Sequence, residues 1–448
     1  MNLDHAEHLL SLGQADCLYQ ELANLYPADP DLDQLPDLIR FALGQSAAMP
    51  RLSGNAAIFA ASINSAKIFW LGADSDKRRP HRINRRTIGI EFDFLGEGRE
   101  PADWGAAMAL NFLVMSQIEP TKRAAVVGTM RDDGIYTLEW IAHYLLLGFN
   151  SIFIYTNDNV DGSERLMRKL AEHGVITLIE SETEGTVRPE VKAFEYSVHL
   201  LHDLRDHDWV LFVDSDEFFQ PGEMYDRAVG SVLDDLVKRF PVSPPSAIVY
   251  EWLWYNSGMV FERRPGLLAE RFQYASPHWL TKPLVRVRDI VSMRRQHIPD
   301  LRPDRRMVNS AFDPVDPAAL WERRDPVYAG GRINHYWPKS FEEFSLKKAR
   351  GDALRLQDDD YRRDFRLFFD WNGPETPDTH YPVHPAYLAD ARRKIAELRA
   401  LDGVAECEQM VQQNFRTLMR RFDADGGLTA IYRRLNTEPD RFGVPATP

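Results

Sequence analysis

Residues Trp209–Gln220 read WVLFVDSDEFFQ. An unbroken apolar run, Val210 to Val213, ends in three acids, Asp214, Asp216 and Glu217. Such a run has the signature of a strand buried on both faces, as in a parallel sheet. Acids at its carboxyl end fall where open α/β sheets bind ligands, in the crevice beyond the strand ends. Two carboxylates one residue apart can face a single hard cation, and Mg²⁺ or Mn²⁺ favours oxygen ligands. A D-x-D also fits a turn with solvated acids, since short motifs match by chance. The upstream sequence weighs between the two.

From Lys122 onward, strand and helix patterns alternate. Ala124–Thr129 (AAVVGT) reads as a buried strand. Ile135–Leu147 (IYTLEWIAHYLLL) reads as a helix with a broad apolar face, closed by Gly148. Ser151–Thr156 is a second strand, Gly162–His173 a second helix and Val175–Ile179 a third strand. Arg188–Arg205 reads as a third helix, with Pro189 suited to its first turn. Trp209–Val213 is then the fourth strand. Alternation with short links predicts right-handed βαβ crossovers and an α/β fold on a mainly parallel sheet. No G-x-G-x-x-G follows any of these strands, so no dinucleotide cofactor is expected.

Outside this core, residues 1–45 show helical periodicity, and Ala56–Ile63, Lys67–Leu71 and Thr87–Leu95 read as strands. The basic run DKRRPHRINRR between the last two reads as a solvated hairpin loop. Downstream, Met224–Phe240 reads as a helix and Ala247–Tyr255 as a strand, whereas 256–330 shows no readable elements. Ser340 followed by Glu343 has the form of a capping box opening a helix to about Arg350. Pro385 to about Arg434 is helical and is expected to pack on the outside. The expected division is an accessory region over 1–120, a catalytic domain over 121–355 and a helical region over 356–448.

A chain of 448 residues, 44% hydrophobic, can bury a large core. A net charge of −13 argues against nucleic acid or anionic lipid as the main partner. Two cysteines, Cys17 and Cys407, make neither a disulfide framework nor a zinc site. MNLDHAEHLL lacks the layout of a signal peptide, and no apolar stretch is long enough to span a bilayer. A soluble, cytoplasmic protein without a transmembrane segment is the expectation.

Three strand ends carry polar residues: Met130-Arg131-Asp132-Asp133, then Asn157-Asp158-Asn159-Val160-Asp161-Gly162-Ser163, then the Asp214–Glu217 cluster. In a parallel sheet these turns share one edge and line one crevice. Here the sequence resembles the family-2-like glycosyltransferases of the GT-A fold, in a bacterial branch related to family 92. The resemblance covers roughly 122–352. It rests on VVGTMRDDGIYTLEWIAHYLLLGFNSIFIYTNDNVDGSERLMRKLAEHGVI, WVLFVDSDEFF and INHYWPKSFEEFSLKKARG in that order.

The resemblance implies a nucleotide-sugar donor, UDP- or GDP-linked, a divalent metal, Mn²⁺ or Mg²⁺, and a glycan or lipid-linked acceptor. It makes Asp158 the base-recognising acid and Asp214 and Asp216 the D-x-D pair, with His335 completing the metal shell. Lys339, Lys347 and Arg350 are candidates for phosphate contacts, since lysine binds phosphate as a point charge. Thr129, Arg131 and Asp133 flank the donor, although Arg131-Asp132-Asp133 departs from the K-N-E-type triplet of the family. Lys192 is a further donor candidate, weighed against simple surface exposure.

The resemblance favours inversion, which needs a carboxylate base. Glu217 and Asp300 are named for it, with Glu251 a third candidate. Trp252, Trp254 and Tyr255 are either core or a platform for acceptor sugar. A phosphatase is disfavoured by Phe218 two residues after the second Asp, and a nucleotidyltransferase by the lack of a glycine- and arginine-rich loop. A degenerate domain that only binds a partner stays open.

Overall fold

The structure is a computed structural model that describes residues 81–84, 86–90, 119–181, 188–199, 201–222, 227–350, 365–370, 372 and 379–437. The expected elements of 1–80 lie outside the described residues. The described residues begin with a hairpin of β1 (His81–Asn84) and β2 (Thr87–Ile90). Residues His81–Asn84 of the basic run are therefore strand rather than loop.

The βα alternation follows as expected. It comprises β3 (Lys122–Met130), α1 (Gly134–Leu146), β4 (Ser151–Thr156), α2 (Ser163–Glu172), β5 (Thr177–Ser181), α3 (Pro189–His199) and β6 (His207–Asp214). The third helix is shorter than its periodicity predicts. It ends at His199, and His202–Asp206 forms a 3-10 turn instead. Strands β2, β5, β4, β3 and β6 pair in parallel in that order. The registers set Thr129 opposite both Tyr155 and Asp214, so the ends of β3, β4 and β6 come out at one edge.

The other half of the sheet is where periodicity misled. After β6 the chain runs through β7 (Glu217–Pro221), α4 (Val229–Arg239), β8 (Ala247–Tyr255), α5 (Leu268–Arg271) and β9 (Tyr274–Arg286). The short strands β10 (Ile290–Ser292), β11 (Asp300–Leu301) and β12 (Met307–Val308) precede β13 (Gly331–His335). Strand β9 lies antiparallel between β6 and β8, β13 pairs in parallel with β8, and β7 closes the edge antiparallel to β13. The β9 residues carry Pro277, Lys282 and Pro283, which break the apolar run expected of an internal strand.

The chain then forms α6 (Phe341–Arg350), α7 (Arg366–Asp370), β14 (Thr379–His380), α8 (Pro385–Arg399), α9 (Val404–Phe422) and α10 (Gly427–Thr437). The tail does not sit outside the core. Tyr387, Ala391, Ile395, Leu398, Val404 and Val411 are buried in the same cluster as Trp140 and Leu211. Gly134 permits this closeness: a Cβ there would stand 2.6 Å from the Val411 side chain. Gly128 does the same for α1, since its Cβ would meet the Trp140 ring at 2.8 Å. Cys407 is a buried free thiol in this packing. Among the described residues, no helix is long and apolar enough to cross a membrane.

Candidate active site

The acid cluster sits at the turn from β6 into β7. Trp140 donates its indole N–H to the Asp214 carbonyl at 3.0 Å, so α1 holds the strand end in place. Glu217, fully buried, folds back and accepts the Asp214 N–H at 2.7 Å. Ser215 donates to Asp133 at 2.7 Å, which ties this turn to the one after β3. The β7–β13 register sets His335 opposite Glu217, and the Tyr336 N–H donates to the Asp216 carbonyl at 2.9 Å. These pairings carry the chain from His335 past Asp216 into α6.

Each D-x-D carboxylate is met by ammonium groups. Asp216, only 3% exposed, has Lys347 Nζ at 2.5 Å and Lys339 Nζ at 3.2 Å from Oδ2, with His335 Nε2 at 3.4 Å from Oδ1. Burial pushes the Asp216 carboxyl up, but Lys339, Lys347 and His335 together take it well below the usual carboxylate range. Burial of His335 outweighs the pull of Asp216 and lowers its imidazole, which keeps that ring neutral. Asp214 accepts from Lys282 Nζ at 3.0 Å, and the same ammonium lies 3.4 Å from Glu217 and 3.6 Å from Glu190. Against the cost of burial, Lys282 holds Asp214 low, whereas burial of Glu217 prevails and pushes it up. Burial would lower Lys282, but Asp214, Glu217 and Glu190 leave it raised above the usual lysine range.

The capping box expected at Ser340 is present. The Ser340 N–H donates to Glu343 at 3.0 Å, and the Glu343 N–H donates to Ser340 Oγ at 3.3 Å. Lys339 precedes it at a φ of 52°, a left-handed backbone that aims its side chain back to Asp216. Glu343 itself is fixed by Arg271 at 2.7 Å and by the Tyr136 hydroxyl at 2.7 Å. Burial works against that carboxyl, yet the Arg271 guanidinium brings it down to about 2.

The turn after β4 divides into two parts. Asp161 is structural: it accepts the N–H of Gly134 at 3.0 Å and of Ser163 at 2.8 Å, one at the start of each helix. Burial leads and pushes its carboxyl to about 6 despite those bonds. Asp132 accepts from Val160 and Asp161 at 2.6 and 3.1 Å, locking the two turns together. Asp158 stands exposed at the tip with a φ of 44° and accepts from Asn157 at 3.1 Å.

The structure thus brings Asp214, Asp216, Glu217, His335, Lys339 and Lys347 into one cluster. Thr129 and Asp133 border it, and Arg131 is half-buried on the same turn. Lys192 is buried in α3 at 6% exposure, not on the surface. Arg350 closes α6. Asp300, in β11, is half-exposed and paired with Arg295. Glu251 is buried against Arg324 at 3.3 Å. Trp252 and Trp254 face His335, at ring distances of 4.2 and 4.8 Å, and lie in the core. Lys282 and Glu190 were not singled out in the sequence. A lone lysine in the apolar stretch TKPLVRV was the signal for the first.

The cluster fits a divalent cation poorly. One oxygen of each carboxylate, Oδ2 of Asp214 and Oδ2 of Asp216, already accepts from ammonium groups. Among the described residues, no group of three or more His, Cys, Asp or Glu side chains is placed to hold a metal ion.

Residues 134–312 match the model of glycosyltransferase family 92. This segment is a glycosyltransferase segment, in agreement with the motifs. No curated protein sequence matches the chain. Among solved structures, the chain is similar to S. aureus TarS 1-349 at 12% identity and a TM-score of 0.26, over 72% of this chain and 94% of that one. It is similar to TarS 1-349 in complex with UDP at 10% identity and a TM-score of 0.24, over 72% and 76%.

Proposed function

We propose that this chain, a glycosyltransferase over its family-92 segment, moves a sugar with inversion from a nucleoside-diphosphate donor to a hydroxyl acceptor. UDP- and GDP-sugars are the donor classes, and a glycan or lipid-linked glycan is the acceptor class. The observation that carries the reading is the junction of Asp216 with Lys339 and Lys347 at the carboxyl edge of the sheet. Basic groups held there suit a leaving diphosphate, because fixed charge aimed at developing negative charge lowers the barrier without reorganisation. In this reading Asp158, exposed on the neighbouring turn, recognises the nucleobase.

Among the base candidates, Glu217 lies inside the cluster but holds the Asp214 N–H and Lys282, a positioning arrangement. The test is a panel of nucleotide-sugars incubated with wild type and Asp216→Asn, with release of nucleoside diphosphate followed by chromatography. One donor class consumed by wild type and spared by the variant is the expected outcome. No release from any donor would leave only the reading of a partner-binding domain without transfer activity.

A further inference from the structure

We propose that resident lysine ammonium groups take the part of a divalent cation in this site, so that donor binding and transfer proceed without metal. The inference rests on the donor-site reading above and deepens it. Lys282 projects from the middle of β9 with 1% of its side chain exposed, and Lys339 is 4% exposed. Neither can leave without stranding a buried ammonium, or burying the carboxylate it abandons. Lys347 is 24% exposed on α6 and is the group with freedom to turn toward a ligand.

Both D-x-D acids are engaged by these groups. Asp214 Oδ2 accepts from Lys282 at 3.0 Å. Asp216 Oδ2 accepts from Lys339 at 3.2 Å and from Lys347 at 2.5 Å. A Mg²⁺ ion needs oxygen ligands at about 2.0–2.1 Å. An ion held by these two carboxylates would lie beside the three ammonium charges of Lys282, Lys339 and Lys347, and their repulsion opposes it. His335, the expected nitrogen donor, is already within 3.4 Å of Asp216 Oδ1. The rings around the lysines hold them in the site as well. Lys339 Nζ lies 4.7 Å from the Tyr136 ring centre and Lys347 Nζ 5.2 Å from that of Trp337.

In the transfer step, the bond from the sugar C1 to the diphosphate oxygen breaks and its electron pair stays on that oxygen. The acceptor oxygen forms the new bond to C1, and its proton passes to a carboxylate or to water. Lys339 and Lys347 donate hydrogen bonds to the departing phosphate and keep their protons. No oxidant, reductant or further reactant enters.

The experiment uses the full chain, stripped with chelator. Nucleoside diphosphates are titrated calorimetrically with excess EDTA and with excess Mn²⁺, and Mn²⁺ alone is titrated by electron paramagnetic resonance. The expected result is a dissociation constant that agrees within about threefold between the two buffers, with no Mn²⁺ bound to the free protein. Lys347→Gln is expected to weaken binding in EDTA by about tenfold or more, and Lys347→Arg to restore most of it. Binding that appears only with Mn²⁺, or a Mn²⁺ site lost in Asp216→Asn, would overturn the inference and leave the donor site standing. Unchanged affinity in Lys347→Gln would overturn it too. No binding of any nucleoside diphosphate in either buffer would overturn the donor-site reading, and this inference with it.

Discussion

His143 sits in the last turn of α1 with no solvent exposure, and its two ring nitrogens join distant parts of the fold. Nε2 lies 2.8 Å from the Phe219 carbonyl on β7, and Nδ1 lies 2.8 Å from the Tyr387 hydroxyl on α8. The carbonyl can only accept, so Nε2 carries the proton and Nδ1 accepts from Tyr387. A second proton would break the Tyr387 bond and place a charge in the core. Burial accordingly lowers the imidazole to about 3, against a smaller opposing effect of the Phe219 carbonyl. The folded value lies below the unfolded one, so the unfolded chain takes up the proton first as pH falls. Stability is complete above about pH 6.5 and declines below it by about 1.4 kcal/mol per pH unit for this residue. At pH 5 the loss is on the order of 2 kcal/mol.

His143→Gln supplies a donor and an acceptor with no charge to gain. Urea denaturation of both proteins between pH 8 and pH 5 measures the difference. The variant is expected to be less stable at neutral pH and to recover about 2 kcal/mol relative to wild type by pH 5. A difference that stays constant with pH would refute the reasoning. His278 and His297, both lowered to about 3 mainly by burial, and His207, lowered to about 4, act in the same direction and steepen the wild-type curve.

Three further changes follow from the packing. Gly128→Ala drives a methyl into the Trp140 ring, and should cost about 1–3 kcal/mol in denaturant unfolding while disturbing the indole bond to Asp214. Arg271→Met leaves Glu343 buried with a weaker partner, Arg263 at 3.5 Å, and should cost about 3 kcal/mol by the same assay. Ser340→Ala removes the α6 cap, and thermal unfolding should report a loss of about 1 kcal/mol.

The parallel half of the sheet was legible because each strand and helix had its own period. Ser151–Thr156 and Ala247–Tyr255 have the bounds that the sequence predicts. The resemblance implied that His335 completes a metal shell and that Lys339 and Lys347 reach phosphate; the structure has all three on Asp216, next to β13, which pairs antiparallel with β7. Strand β9 was not legible. Its alternation is interrupted by two prolines, and its inward lysine reads as a surface residue until Asp214, Glu217 and Glu190 are seen around it. Asp161 was read as one more polar strand-end acid, yet its carboxylate caps two helices through contacts a linear pattern does not display. Lys192 lay on a helix whose covering residues are distant in sequence, so periodicity alone did not bury it.

The central claim is that the strand-edge cluster receives a nucleoside diphosphate. A crystal structure of the protein grown with the nucleoside diphosphate released in the donor panel tests it most directly. The account predicts phosphate oxygens within hydrogen-bonding reach of Lys339 and Lys347, with the base beside Asp158. A nucleotide bound elsewhere, with Lys347 still closed on Asp216 and no phosphate oxygen near Lys339, would contradict it.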